Sequence, residues 1–141
     1  MRTGASRLSR RKVAVPVVLA LTFAGLLLVG ASYWVRASSA PGAAYDVIYS
    51  GVNSSRAGLS KSFGRALAPG EFETAVAAIP DDFGGDPRLY HPSRSEVGFD
   101  RAAVQLSFAA DTQFDVLVSM SWDWAAGRWR VLSLERVSHQ E

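Results

Sequence analysis

Phe114-Asp115-Val116-Leu117-Val118-Ser119-Met120-Ser121-Trp122 alternates strictly, with Phe114, Val116, Val118, Met120 and Trp122 on one side and Asp115, Leu117, Ser119 and Ser121 on the other. A period of two means a strand, and an apolar set on one side of it means a sheet with one buried face. The run upstream repeats the pattern: Val104, Leu106 and Phe108 alternate with Ala103, Gln105 and Ser107. A third run extends from Trp129 to Val137.

Turn residues suggest the register. If Asp111-Thr112-Gln113 is a three-residue turn, Phe108 faces Val116, Leu106 faces Val118 and Val104 faces Met120. If Ala125-Ala126-Gly127 is the next turn, with Gly127 left-handed, Met120 faces Leu132 and Val118 faces Leu134. This arrangement buries Val104, Leu106, Phe108, Val116, Val118, Met120, Leu132 and Leu134 together, and a slip of one residue would undo it. It also lays Arg130 beside Trp122 as a cation–π pair.

The opposite face carries Asp115, Asp123 and Glu135, but also Leu117, Trp129, Val131 and Val137. Scattered apolar residues on a solvated face are ordinary. The sharper reading is a partner-binding face anchored by Trp129, with Val131, Leu117 and Val137 around it.

Ahead of the strands, Leu59, Phe63 and Leu67 form one helical stripe, and Phe72, Val76 and Ile79 form a second that Pro80 ends. Glu71 and Glu73 sit in the first turn of the second helix, where the dipole favours acid. Residues 81 to 95 read as loop, and Asn53-Ser54-Ser55 as a turn. The fold class is therefore α+β: one to three short helices packed on an antiparallel sheet of at least three strands.

Residues 13 to 35 contain no charged side chain, and Arg2, Arg7, Arg10, Arg11 and Lys12 precede them. A helix of that length crosses a hydrocarbon core of about 30 Å. The basic cluster keeps residues 1 to 12 in the cytoplasm and sends the remainder outward. Tyr33 and Trp34 on one side, and Arg11 and Lys12 on the other, mark the membrane interfaces. A cleaved signal peptide is the competing reading, with small-residue sites at Val29-Gly30-Ala31 and Ser38-Ser39-Ala40, but its apolar region is usually only about 7 to 15 residues. The length favours a retained anchor. Residues 36 to 44, small and polar with Pro41 and Gly42, read as a linker, leaving 45 to 141 as an extracytoplasmic domain. Tyr45, Ile48, Tyr49 and Val52 fit a helix at its start; Tyr45, Val47 and Tyr49 fit a strand, and the helix is preferred.

The formal charge of +2 hides a division: five basic residues lie before position 13 and Arg36 adds one, whereas residues 37 to 141 hold nine basic against thirteen acidic. The basic excess belongs to the N-terminal tail and does not point to nucleic acid. The bilayer and another envelope or membrane protein are the expected partners. The chain has no cysteine, hence no disulfide, thiolate nucleophile or lipoprotein acylation site. Thirteen Arg against two Lys suggests a bacterial genome of high GC content.

Asp81, Asp82, Asp86 and His91 form the one acidic–histidine cluster, but their spacing does not match a calcium loop, and no metal or cofactor is expected. His139 reads as a solvated tail residue. There is no Gly-rich phosphate loop, Gly-x-Ser-x-Gly elbow or HExxH, and no serine has a His-plus-acid constellation. The expected class is a membrane-anchored interaction or assembly domain and not an enzyme; a small-ligand module with a pocket is the alternative. Ala20 and Ala24 offer helix-packing spacing, but the abundance of alanine explains it better.

The ending Trp122-Asp123-Trp124-Ala125-Ala126-Gly127-Arg128-Trp129-Arg130-Val131 resembles the last hairpin of nuclear transport factor 2-like, cystatin-like α+β domains, which in bacteria often follow a single membrane helix. It is also similar to the terminal hairpin of the cytochrome oxidase assembly factor 1-like family. The resemblance covers about 35 residues and implies a helix-covered sheet, with a cone-shaped pocket in the first superfamily. No site motif of either family matches, so neither family's functional residues carry over.

Overall fold

The structure, a computed structural model, describes residues 5–79, 90–108 and 114–138. Among the described residues seven elements follow in order: α1 (Ala5–Val52), α2 (Arg56–Phe63), α3 (Pro69–Ala77), β1 (Tyr90–Val97), β2 (Arg101–Phe108), β3 (Phe114–Asp123) and β4 (Arg128–Ser138). The strands form one antiparallel sheet in the order β1-β2-β3-β4. The fold is α+β, as the alternation and the helical stripes require.

The chain divides into two compact units, residues 1–35 and 36–141. In the first, α1 supplies a helix long and apolar enough to cross a membrane. Its large side chains are exposed on every side, including Leu19, Leu21, Phe23, Leu26 and Leu28. Such a surface is stable against lipid and not against water. Pro16 falls inside the helix.

The second unit begins within the same helix. Residues 36 to 44, expected as a linker, are helical instead, with Ala40 and Ala44 fully buried. Ala40, Ala44, Val47, Ile48 and Gly51 recur at helical spacing and form a narrow buried stripe. Small residues on that stripe let the backbone approach its neighbours closely. The helical reading of residues 45 to 52 holds; Val47 and Ile48 face the core, while Tyr49 is exposed.

Leu59, Leu67 and Ile79 join the core, and Phe63, Phe72 and Val76 pack against it. The first stripe is expected on one helix, but α2 stops at Phe63, and Leu67 reaches the core from the segment between α2 and α3. Ser55 starts α2: its hydroxyl accepts the Gly58 N–H at 3.1 Å. Gly64 ends it at φ 66°, and the Gly64 and Arg65 N–H groups donate to the carbonyls of Lys61 and Ser60. At the start of α3, the Glu71 carboxylate accepts the Ala68 N–H at 3.0 Å and N–H groups from the two terminal guanidinium nitrogens of Arg65 at 2.7 and 2.8 Å. The Arg65 hydrogen bonds and the Ala68 N–H hold the Glu71 carboxyl at about 2, well below its usual range. Glu73 lies beyond the first turn. Arg136 of β4 donates to the carbonyls of Ala78 and Ile79 at the end of α3, each at 3.2 Å.

Three strand readings are corrected. Residues 90 to 95, expected as loop, belong to β1, an edge strand with an irregularity between Pro92 and Arg94. An edge tolerates proline because one side of the ladder is vacant. The β2–β3 register sits two residues from the expected one: Leu106 faces Val116, Val104 faces Val118 and Ala102 faces Met120. A shift of two preserves the faces, so Val104, Leu106, Val116, Val118 and Met120 are all buried. The expected turn 111–113 lies outside the described residues, as does the side chain of Phe108.

The third correction changes faces. Val118 faces Leu134 as expected, and Gly127 is left-handed at φ 62°. Between Ser119↔Ser133 and Met120↔Val131, however, Leu132 is an extra residue, a β-bulge. It reverses the alternation of β4 on its N-terminal side. Trp129 and Val131 turn inward at 5% and 4% exposure, and Leu132 turns outward at 49%.

Candidate functional site

Two surfaces of the second unit present chemistry. The first is built on Arg36, the residue that follows the uncharged run. Its side chain is 2% exposed, and its guanidinium carbon lies 5.1 Å from the Phe99 ring centroid and 5.0 Å from that of Trp124. Its backbone carbonyl accepts the Trp129 indole N–H at 3.0 Å and the Ser39 hydroxyl at 3.2 Å. Cation–π attraction compensates part of the cost of removing a guanidinium from water.

Two hairpin tips deliver these rings. In the β1–β2 tip, the Gly98 N–H donates to the Arg101 carbonyl at 2.7 Å, and the Asp100 carbonyl accepts the Trp122 N–H at 2.7 Å, which fixes Phe99 beside β3. In the β3–β4 tip, the Asp123 carboxylate accepts the N–H groups of Ala125 and Ala126, each at 3.0 Å, and Gly127 donates to the Asp123 carbonyl. The Ala126 N–H and the Arg130 guanidinium, 3.1 Å away, hold the Asp123 carboxyl below its ordinary range. Phe99 and Trp124 meet at 5.4 Å between centroids, Trp122 and Trp124 meet edge-on at 6.5 Å, and Trp122 and Trp129 at 5.2 Å. Outward from this cluster, Phe99 remains 70% and Trp124 56% exposed.

The second surface is the outer face of the sheet. Leu117, Ser119, Ala103 and Val137 are half-buried there, and Leu132 is exposed at the bulge. An open depression of about 440 Å³ lies among Arg101, Ala103, Ser119 and Leu132, with Glu96 and Val97 at its margin. On the same face Asp115 is 2% exposed, and its carboxylate accepts the Gln105 amide at 2.6 Å and the Ser107 hydroxyl at 2.9 Å.

The structure separates the residues expected to form one partner face. Leu117 and Val137 stay on the outer face, but Trp129 and Val131 belong to the core. The bulge at Leu132 is the physical reason. Arg130 does not lie opposite Trp122: it faces Ser121 and ion-pairs with Asp123, while Trp122 faces Trp129. At the expected membrane interfaces, Tyr33 and Trp34 are 48% and 70% exposed and Lys12 is exposed; the side chain of Arg11 lies outside the described residues. Asp81, Asp82, Asp86 and His139 also lie outside them, and His91 is in β1. Among the described residues, no group of three or more His, Cys, Asp or Glu side chains is placed to hold a metal ion.

Sequence reasoning missed the Arg36 cluster, because its members stand 63 and 88 positions apart along the chain. One signal was present: large aromatics at Phe99 and Trp124, where hairpin tips ordinarily carry small or polar residues. No family model, curated protein or solved structure matches the chain.

Proposed function

We propose that the chain is a single-pass membrane protein, its N-terminus cytoplasmic and its C-terminal domain outside, and that this domain serves interaction with or assembly of another envelope protein. The observation that carries the reading is the contrast between the two faces of the sheet. The inner face is filled by Ile48, Leu59, Val104, Leu106, Val116, Val118 and Met120, all fully buried. The outer face presents Leu132, Leu117 and Val137 beside Arg101, Glu96 and Glu135, a mixture of apolar contact and polar rim suited to protein recognition.

The five basic residues before position 13 support the orientation. Because the chain has no cysteine, single introduced cysteines report topology cleanly. Ser9→Cys should resist a membrane-impermeant maleimide in intact cells, and Ser133→Cys should react; the reverse pattern overturns the orientation. A photo-crosslinking residue at Leu132 should yield one discrete protein adduct. Its absence, with a small molecule recovered instead, would favour the pocketed alternative.

A further inference from the structure

The Arg36 cluster has a feature that core packing leaves unexplained. Phe99 and Trp124 cover the guanidinium with one part of their rings and leave the larger part in contact with the surroundings, at 70% and 56% exposure. Both stand at turns, where nothing in strand pairing demands an aromatic residue. Both are fastened: Phe99 by the Gly98–Arg101 and Trp122–Asp100 hydrogen bonds, Trp124 by the Asp123-capped turn. Held aromatic rings exposed together on two adjacent tips are a contact surface.

Arg36 fixes where that surface lies along the chain. Val35 closes the uncharged run, and Arg36 follows it in the same helix. Beyond each side of the hydrocarbon core lies a headgroup zone about 5 to 8 Å deep. Rings about 5 Å from the guanidinium of the first residue past the apolar run fall within reach of that zone. Arg101 and Arg128, both exposed, begin β2 and β4 directly beside the two tips and complement lipid phosphates. An aromatic ring with a cation at its edge is the side-chain chemistry of the membrane–water boundary.

We propose that the β1–β2 and β3–β4 tips seat Phe99 and Trp124 in the headgroup region of the bilayer that α1 crosses, with Arg101 and Arg128 towards lipid phosphate. The proposal rests on the reading of α1 as a membrane span. It makes the domain a surface-seated body with a defined membrane side, which the anchor by itself would not impose.

The test uses the full chain in lipid nanodiscs of phosphatidylcholine and phosphatidylglycerol, one copy per disc, with a spin label on a single introduced cysteine. Ala126→Cys reports the tip, Ser138→Cys the far end of β4, and Leu27→Cys the apolar run. At position 126, collisions with an aqueous nickel reagent should be several-fold fewer than at 138, and collisions with oxygen more frequent. If 126 is as accessible to nickel as 138 while 27 is protected, α1 spans the bilayer and the tips do not touch it. The proposal then fails by itself, and a protein partner becomes the reading for the two rings. If 27 is also accessible to nickel, the membrane span fails and the proposal with it. Brominated lipid gives a second measurement: in a Trp34→Phe background, shallow bromines should quench the fluorescence, and Trp124→Leu should remove most of the quenching. Equal quenching with and without Trp124 overturns the proposal.

Discussion

The two halves of β4 obey different rules. From Ser133 to Ser138 the strand keeps the period of two that its sequence displays, and Leu134 meets Val118. From Arg128 to Val131 the same strand runs with opposite sense: Trp129 and Val131 face the core, and the leucine that alternation assigns to the core points outward. One inserted residue separates the regimes. Alternation identifies a strand and divides its residues into two sets, but the inward set is fixed only by partners across the ladder. Trp129, the largest side chain in β4, resolves the competition, because burying it and satisfying its indole N–H on the Arg36 carbonyl outweighs burying Leu132.

The sharpest way to break the comparison is a charge on either side of the bulge. Val131→Asp should unfold the domain, since an unpaired buried carboxylate costs several kcal/mol. Leu132→Asp should shift stability by about 0.5 kcal/mol or less, as exposed positions do. Thermal denaturation of the detergent-solubilised chain by circular dichroism reads both, and equal effects would refute the bulge. Next in size, Trp129→Ala should destabilise by about 3 to 5 kcal/mol, the usual cost of truncating a core aromatic. A melting temperature left unchanged would return Trp129 to the surface. Gly127→Ala tests the turn that launches the inverted half. A left-handed residue with a Cβ costs about 1 to 2 kcal/mol, so a measurable loss is expected, smaller than that of Trp129→Ala.

The smallest effect serves as a control remote from β4. Glu71 has its folded pKa lowered from 4.5 to about 2, so its contribution is complete above 4.5 and is lost as pH falls towards 2. Glu71→Gln should flatten acid destabilisation in that window and leave stability at neutral pH only slightly reduced, because the pair with Arg65 is exposed. An acid titration identical to that of the unmodified chain would remove the linkage.

Much of this architecture was legible in the residues. The uncharged run, the stripe of α3, the faces of β2 and β3, the left-handed Gly127 and the Val118–Leu134 pairing follow from period, length and turn chemistry. Besides the β2–β3 register and the bulge at Leu132, three features did not. The segment 36–44 looks like a linker because small residues suit both a flexible segment and a closely packed helix; only the core that takes in Ala40 and Ala44 decides between them. β1 was concealed by Pro92 and its polar composition, which an edge strand accepts and a central strand does not. Arg36 reads as a topological charge in sequence, and the rings that cover it come from two hairpins brought together only by the sheet.

The edges of the sheet carry a consequence for crowding. Where a helix such as α1 holds chains in a bilayer, they meet in two dimensions, and encounters between identical exposed strands become frequent. β1 offers such an encounter a proline, an irregularity after it and the charged pair Arg94 and Glu96; β4 offers a bulge flanked by Arg128, Arg130, Glu135 and Arg136. Each interrupts the straight row of donors and acceptors that a second copy would need for strand addition. The irregularities that hid these strands from a simple periodic reading also disfavour the addition of a second copy's strand to either edge.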